Sequence, residues 1–218
     1  MELHTIIRPL HTDEIATLKK LKKEATKKLK SKKIIHYLIA LLIGIATTSI
    51  AMYLKAYDLA VFVFGTIAVF AYGYVIFVPY EIYKLNRETK KKLKRIDDFL
   101  ESNALKVIPV NALRIAHAKE YEDEGDLYII EYKPDHLLYF NDLDGERSFP
   151  CLSFEIYEED YSWLTWQHIR ALSKEIEPVL ISGKAKWAYG KEHGLPEHLA
   201  TEVRSFEEVM EDFASINK

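Results

Sequence analysis

The spacing of apolar and polar positions changes character twice along the chain. Residues 34–54 contain 21 consecutive positions without a formal charge, and residues 59–80 contain another 22. Each run is long enough to cross a hydrocarbon core of roughly 30 Å as a helix. Lys55, Ala56, Tyr57 and Asp58 separate them, a length that joins antiparallel helices. The pattern therefore predicts a tight transmembrane hairpin. A signal peptide fits less well, because a second apolar run follows where a mature domain would begin.

Helical periodicity continues beyond both runs. Ile15, Leu18, Leu21, Ala25 and Leu29 form an apolar stripe, and Thr12 with Asp13 and Glu14 reads as its capped start. Ile82, Leu85, Leu93, Ile96 and Leu100 extend the second run in the same way. Two helices over 12–54 and 59–101 would match in length and form an antiparallel stalk, with a basic helix lying on anionic lipid as the competing arrangement for residues 12–33.

After residue 103 the pattern shortens to alternating runs. Residues 113–117, 126–133, 136–140 and 147–157 read as strands of an antiparallel meander, separated by turns at Gly125, Pro134-Asp135 and Asp144-Gly145. Residues 161–172 fit helix and strand about equally. Ser182 caps a predicted helix that Gly194 ends, with Pro196 beyond it. A short strand is expected around 199–204, and Ser205 with Glu208 opens a last helix whose apolar face is Phe206, Val209, Met210, Phe213 and Ile216. The fold class is α+β: a membrane hairpin and stalk over 1–102, then a small domain over 103–218 with an antiparallel sheet and C-terminal helices.

Charge sharpens this division. Residues 1–102 hold 18 Lys+Arg against 10 Asp+Glu, and residues 103–218 hold 12 against 23. Nine lysines lie between Lys19 and Lys33, and seven Lys+Arg between Lys84 and Arg95. By the positive-inside rule both termini are cytoplasmic and the Lys55–Asp58 turn is outside. Tyr37, Tyr53, Tyr57, Tyr80 and Tyr83 fall near the interfaces. The bilayer and its anionic headgroups at the stalk are the expected partners, and no nucleic-acid polymer is expected against an acidic domain. Neither run contains Asp, Glu, Lys or Arg, which argues against a proton relay or gating charge. Ala40, Gly44 and Thr48, with Gly65, Ala68, Ala71 and Gly73, allow close helix approach within a hairpin or in a homo-oligomer.

Most catalytic and metal patterns fail on inspection. One cysteine makes no internal disulfide, and Cys151 in Phe149-Pro150-Cys151-Leu152 reads as a buried structural residue. His193 and His198 are parted by Gly194 and Pro196, and two ligands fall short of a zinc set. With Gly145 at position six of a calcium loop, positions one and twelve are Phe140 and Cys151, which excludes an EF-hand. Ser182-Gly183-Lys184 lacks the earlier glycine of a phosphate loop. No catalytic residue, metal or cofactor is expected. Arg114, Arg147, Arg170, Lys184, Lys186 and Arg204, with Lys119, are the candidate ligand-binding cations, and the start of the helix at Gly183 is a candidate anion site.

The stretch 114–126, with its Tyr121-Glu122-Asp123-Glu124-Gly125, and the later stretch 149–155 resemble a group of uncharacterised bacterial membrane proteins with a cytoplasmic domain. The resemblance implies a bacterial inner membrane and carries no activity. The expected function is non-enzymatic: a membrane-anchored protein whose cytoplasmic domain recognises a partner protein or small ligand, as sensor or effector. Two further readings stand beside it, an antiphage-type membrane effector triggered by an anionic nucleotide signal and a toxin-immunity protein.

Overall fold

A computed structural model describes residues 3–29, 35–142 and 148–215. The chain forms two compact units, one of residues 11–102 and one that unites the N-terminal residues up to Leu10 with those from Asn103 onward.

The first unit is helical: α1 (Thr12–Lys28), α2 (Ile35–Tyr53) and α3 (Asp58–Ser102). The stripe read from the sequence is what packs α1 along α3. Leu18 and Ile96 have no exposed surface, Ala25 and Thr89 are buried beside them, and Lys22 pairs with Asp97 at 2.6 Å. Across the hairpin, Gly44 is buried on α2 and Ala68 on α3. A Cβ at Gly44 would lie 3.0 Å from the ring of Tyr72, whose hydroxyl is 3.3 Å from Thr48 Oγ1. The small residues at 44 and 68 thus let the two helices approach each other within the hairpin.

Two details differ from the pattern-based expectation. The continuous helix 12–54 is replaced by α1 and α2, because α1 closes at Lys28 with the Leu29 N–H turned back to the Thr26 carbonyl. Lys30, Lys32, Lys33 and Ile34, the first residue of the expected 34–54 span, lie outside the described residues. The N-cap is His11 rather than Thr12, since the Glu14 carboxylate reaches back to accept the His11 N–H at 2.7 Å.

The second unit holds nine strands and three helices among the described residues. The strands are β1 (Ile6–Arg8), β2 (Leu105–Asn111), β3 (Arg114–Ala118), β4 (Asp126–Lys133), β5 (His136–Asp142), β6 (Ser153–Tyr157), β7 (Ile169–Ala171), β8 (Val179–Ile181) and β9 (Thr201–Val203). The helices are α4 (Glu159–Thr165), α5 (Gly183–His193) and α6 (Phe206–Ser215). One sheet runs β1-β2-β6-β7 and is antiparallel throughout; the other runs β8-β3-β4-β5-β9, antiparallel except for the β3–β8 pair.

The expected meander is real for β3, β4 and β5 but ends there. The run assigned to 147–157 yields β6, which pairs with β2 in the other sheet. A continuous three-strand meander already has its next edge taken by β9, joined through Leu138–Thr201. Leu143, Asp144, Gly145 and Arg147 lie outside the described residues. The ambiguous stretch 161–172 contains both alternatives in succession, α4 and then β7. Residues 3–10, grouped by charge with the hairpin, instead supply β1 as the edge partner of β2, where Arg8 grips Glu155 of β6 through three N–H to carboxylate contacts of 2.6 to 3.1 Å.

Alternation along β4 explains the layering. Tyr128 and Ile130 point into a core between the two sheets, shared with Val110, Phe140, Phe154 and Cys151. Leu127 and Ile129 point to the opposite face, where Phe206, Val209 and Phe213 of α6 and Ala185 of α5 cover them. The central sheet is therefore buried on both sides, and the domain is a sandwich of two sheets with a helical layer on one of them.

Candidate functional site

Among the described residues, the cations singled out in the sequence divide between partners on α6, which Arg114 and Arg204 reach, and the Tyr121–Gly125 segment, which Lys186 reaches. Arg114 on β3 donates to Glu131 at 2.6 Å and to Glu207 of α6, and its guanidinium lies 4.5 Å above the Phe206 ring. The hydrogen bonds to Glu207 and then Glu131 hold its pKa above the ordinary arginine value. Arg204 pairs with Asp212, also on α6. Arg170 lies on β7, in register with Glu155 on the neighbouring strand β6 of the same sheet. Lys184 and Lys119 are exposed, and Arg147 is outside the described residues.

Lys186 has no exposed surface. Its ammonium donates to the Gly125 carbonyl and lies 3.2 Å from Glu124 Oε1. Glu124 in turn accepts the N–H groups of Tyr121 (3.2 Å) and Glu122 (2.6 Å), and Asp126 accepts that of Glu120 at 2.7 Å. The acidic Tyr121–Gly125 segment is thus a self-bonded turn clamped from beneath by a lysine. The α5 start is likewise engaged: a Cβ at Gly183 would meet the Glu120 carbonyl oxygen at 2.8 Å.

Cys151 is fully buried, with its thiol 3.4 Å from the Ser153 carbonyl oxygen, and burial pushes its pKa up. Among the described residues no group of three His, Cys, Asp or Glu could hold a metal ion.

The feature that stands out is a cavity of about 360 Å³ beside α4. Its wall includes Tyr157, Glu159, Ser162, Trp163, Trp166, His168, His198 and Leu199. Trp163 and Trp166 expose 55% and 68% of their surface. Among the described residues, six non-glycine positions have positive φ: Asn103, Asp123, Asp135, Ser148, Trp166 and Leu199. Four are the short polar types that tolerate this region. Trp166 and Leu199, at φ 59° and 61°, are large and apolar, and both line this cavity. Such backbone costs about 1–3 kcal/mol per residue and concentrates at ligand sites. Trp166 occupies the left-handed cap of α4, with its N–H bonded to the Ser162 carbonyl at 2.8 Å, a place glycine usually fills.

His198 Nδ1 accepts the Asn141 backbone N–H at 3.2 Å, which places the proton of the neutral ring on Nε2, and the ring centre is 4.9 Å from that of Phe140. Desolvation and then the nearby His168 hold the pKa of His198 below its ordinary value. The described lining of the cavity therefore combines two tryptophans, two histidines and Glu159, and contains no Arg or Lys. Sequence reasoning passed over it because its parts come from α4, the approach to β7 and the loop before β9; the one local signal was two tryptophans three residues apart.

No protein-family model, no curated protein and no solved structure matches this chain.

Proposed function

We propose that this chain is a two-span protein of a bacterial inner membrane, with both termini cytoplasmic, and that the domain after residue 103 recognises a small ligand or partner without catalysing a reaction, as sensor or effector. The carrying observation is how little of the apolar helices the protein covers. In the most apolar 18-residue windows of α2 and α3 only 11% and 6% of positions are buried. A core helix of a water-soluble protein is mostly covered, and an apolar surface this extensive needs lipid or another apolar surface against it.

The polar groups of these segments support the same reading. Thr47, Thr48, Ser49 and Thr66 each donate their hydroxyl to the carbonyl four residues earlier, at 2.7 to 2.9 Å. That arrangement satisfies a hydroxyl inside hydrocarbon, where water is absent. Just beyond the apolar part of α3, Tyr83, Asn86, Arg87, Lys90, Lys91 and Lys94 line a groove of about 490 Å³. Anionic headgroups are its natural occupants. An effector triggered by an anionic nucleotide is less favoured, because Arg114, Arg204 and Lys186 are already bonded to acidic or carbonyl groups.

The test is extraction and labelling. The full chain should resist alkaline carbonate extraction, Ala56→Cys should react with an impermeant maleimide from outside, and reporters at both ends should register cytoplasm. Release by carbonate, or external labelling of either end, overturns the topology.

A further inference from the structure

The cavity beside α4 has the chemistry of a site for a positively charged organic ligand. We infer that the Trp163–Trp166 cavity binds a small organic cation of the tertiary or quaternary ammonium class. The inference rests on the reading of this domain as a recognition module and deepens it by naming the ligand class.

Three observations converge. Tryptophan is the strongest cation–π partner, and here two tryptophans, each more than half exposed, line the same cavity. Among the described residues the lining supplies a carboxylate, Glu159, and no lysine or arginine, so it would stabilise a cation and would leave a phosphate unneutralised. Residues 103–218 also carry 12 Lys+Arg against 23 Asp+Glu, a field that concentrates cations near the domain. The volume of about 360 Å³ lies at the small end of ligand pockets and suits one compact molecule. The left-handed backbone at Trp166 and Leu199 holds the indole and the leucine where an unconstrained chain would not place them, which is preorganisation of the wall.

His198 gives the site a pH signature. Glu159 on α4 and Asp142 at the end of β5 favour positive charge nearby, whereas His198 on the same lining repels a bound cation once protonated. The neutral His198 imidazole belongs to the binding form, so affinity falls as the solution is acidified.

The probe is choline, set against its uncharged carbon isostere 3,3-dimethylbutan-1-ol, titrated into the full chain in dodecyl maltoside, a detergent without ammonium groups. Intrinsic fluorescence reads the site, since two of the three tryptophans line it and the third, Trp187, lies on α5. The expected result is saturable binding of choline and about tenfold weaker binding of the isostere, between the size of an exposed and of a desolvated cation–π contact. Trp166→Ala should weaken choline by a similar factor, and Trp166→Phe, which preserves an aromatic wall, by less. Glu159→Gln should weaken choline and leave the isostere unchanged. Affinity should drop between pH 7.5 and 5.5, and His198→Asn should reduce that drop. Equal affinity for the two probes, absence of saturable choline binding to the folded wild-type chain, or unchanged binding in folded Trp166→Ala would overturn the assignment. Carbonate extraction decides the membrane reading separately, because a chain that proves extractable can still bind choline and an integral one can fail to.

Discussion

The ammonium of Lys186 is sealed inside the domain against the carbonyl of Gly125, with Glu124 completing its surroundings. A lysine can be buried this way because its donors meet a carbonyl and a carboxylate, and the turn that supplies them is held by the same contact. Gly125 adopts φ 72°, so the carbonyl is presented by a residue that reaches the left-handed region without strain.

Lys186→Met should therefore lower stability by about 3 kcal/mol, the lower end of the cost of breaking a buried ion pair from one side. Lys184→Met, two residues away and exposed, should change it by less than about 0.5 kcal/mol. Thermal or denaturant unfolding followed by near-UV circular dichroism separates the two; equal effects would mean that the clamp contributes nothing specific.

The N-terminal strand is a structural part of the domain. Arg8 and Glu155 expose only 12% and 8% of their side chains, so Arg8→Met leaves a carboxylate poorly solvated and should cost about 3 kcal/mol. Arg8→Lys restores the charge without the bidentate fork and should recover only part of the loss. Expression of residues 104–218 alone should expose the β2 edge and promote association, a defect that light scattering would register and that restoring residues 3–10 in the full chain should cure.

Gly44 and Gly65 separate packing within the hairpin from packing between copies. Gly44→Val must displace the Tyr72 ring and should loosen α2 from α3, read as a loss of disulfide cross-linking between cysteines engineered on the two helices. Gly65 has nothing within 4 Å, so Gly65→Val should leave that cross-link intact. If copies associate through this face of α3, the same Gly65 variant should shift the mass measured by light scattering in detergent.

Domain stability should fall on acidification in two stages. The pKa of His198 is lower folded than unfolded, so the unfolded chain binds more protons below about 6.5. Its contribution is complete above about 6.5 and declines as pH falls toward the folded-state value. Glu124 is also lowered, by the backbone N–H of Glu122 and by Lys186, which outweigh its partial burial. Its contribution is present above about 4.3 and disappears as pH drops through the folded value. His198→Asn should flatten the upper stage of a melting-temperature profile and leave the lower stage.

What the chain declares by itself is whatever depends on local periodicity. The two apolar segments, the short turn expected at 55–58 and found between Tyr53 and Asp58, the end of α3 near residue 102, the β3-β4-β5 meander and the Ser182 and Ser205 helix starts are all legible, because each follows from spacing, charge or a capping residue within about twenty positions. Nothing local shows that Ile6–Arg8 pairs with β2 from a hundred residues away, or that β6 leaves the meander for the other sheet, since a strand's alternation names its buried face and leaves its partner open. Charge alone offers Arg114, Lys186 and Arg204 as candidate ligand groups and does not show that tertiary packing brings Glu207, Gly125 and Asp212 to them. The Trp163–Trp166 cavity is decided in the same way, by long-range packing that brings the loop carrying His198 against α4. A site assembled from separate elements exists only once the free energy of the whole core has fixed their positions.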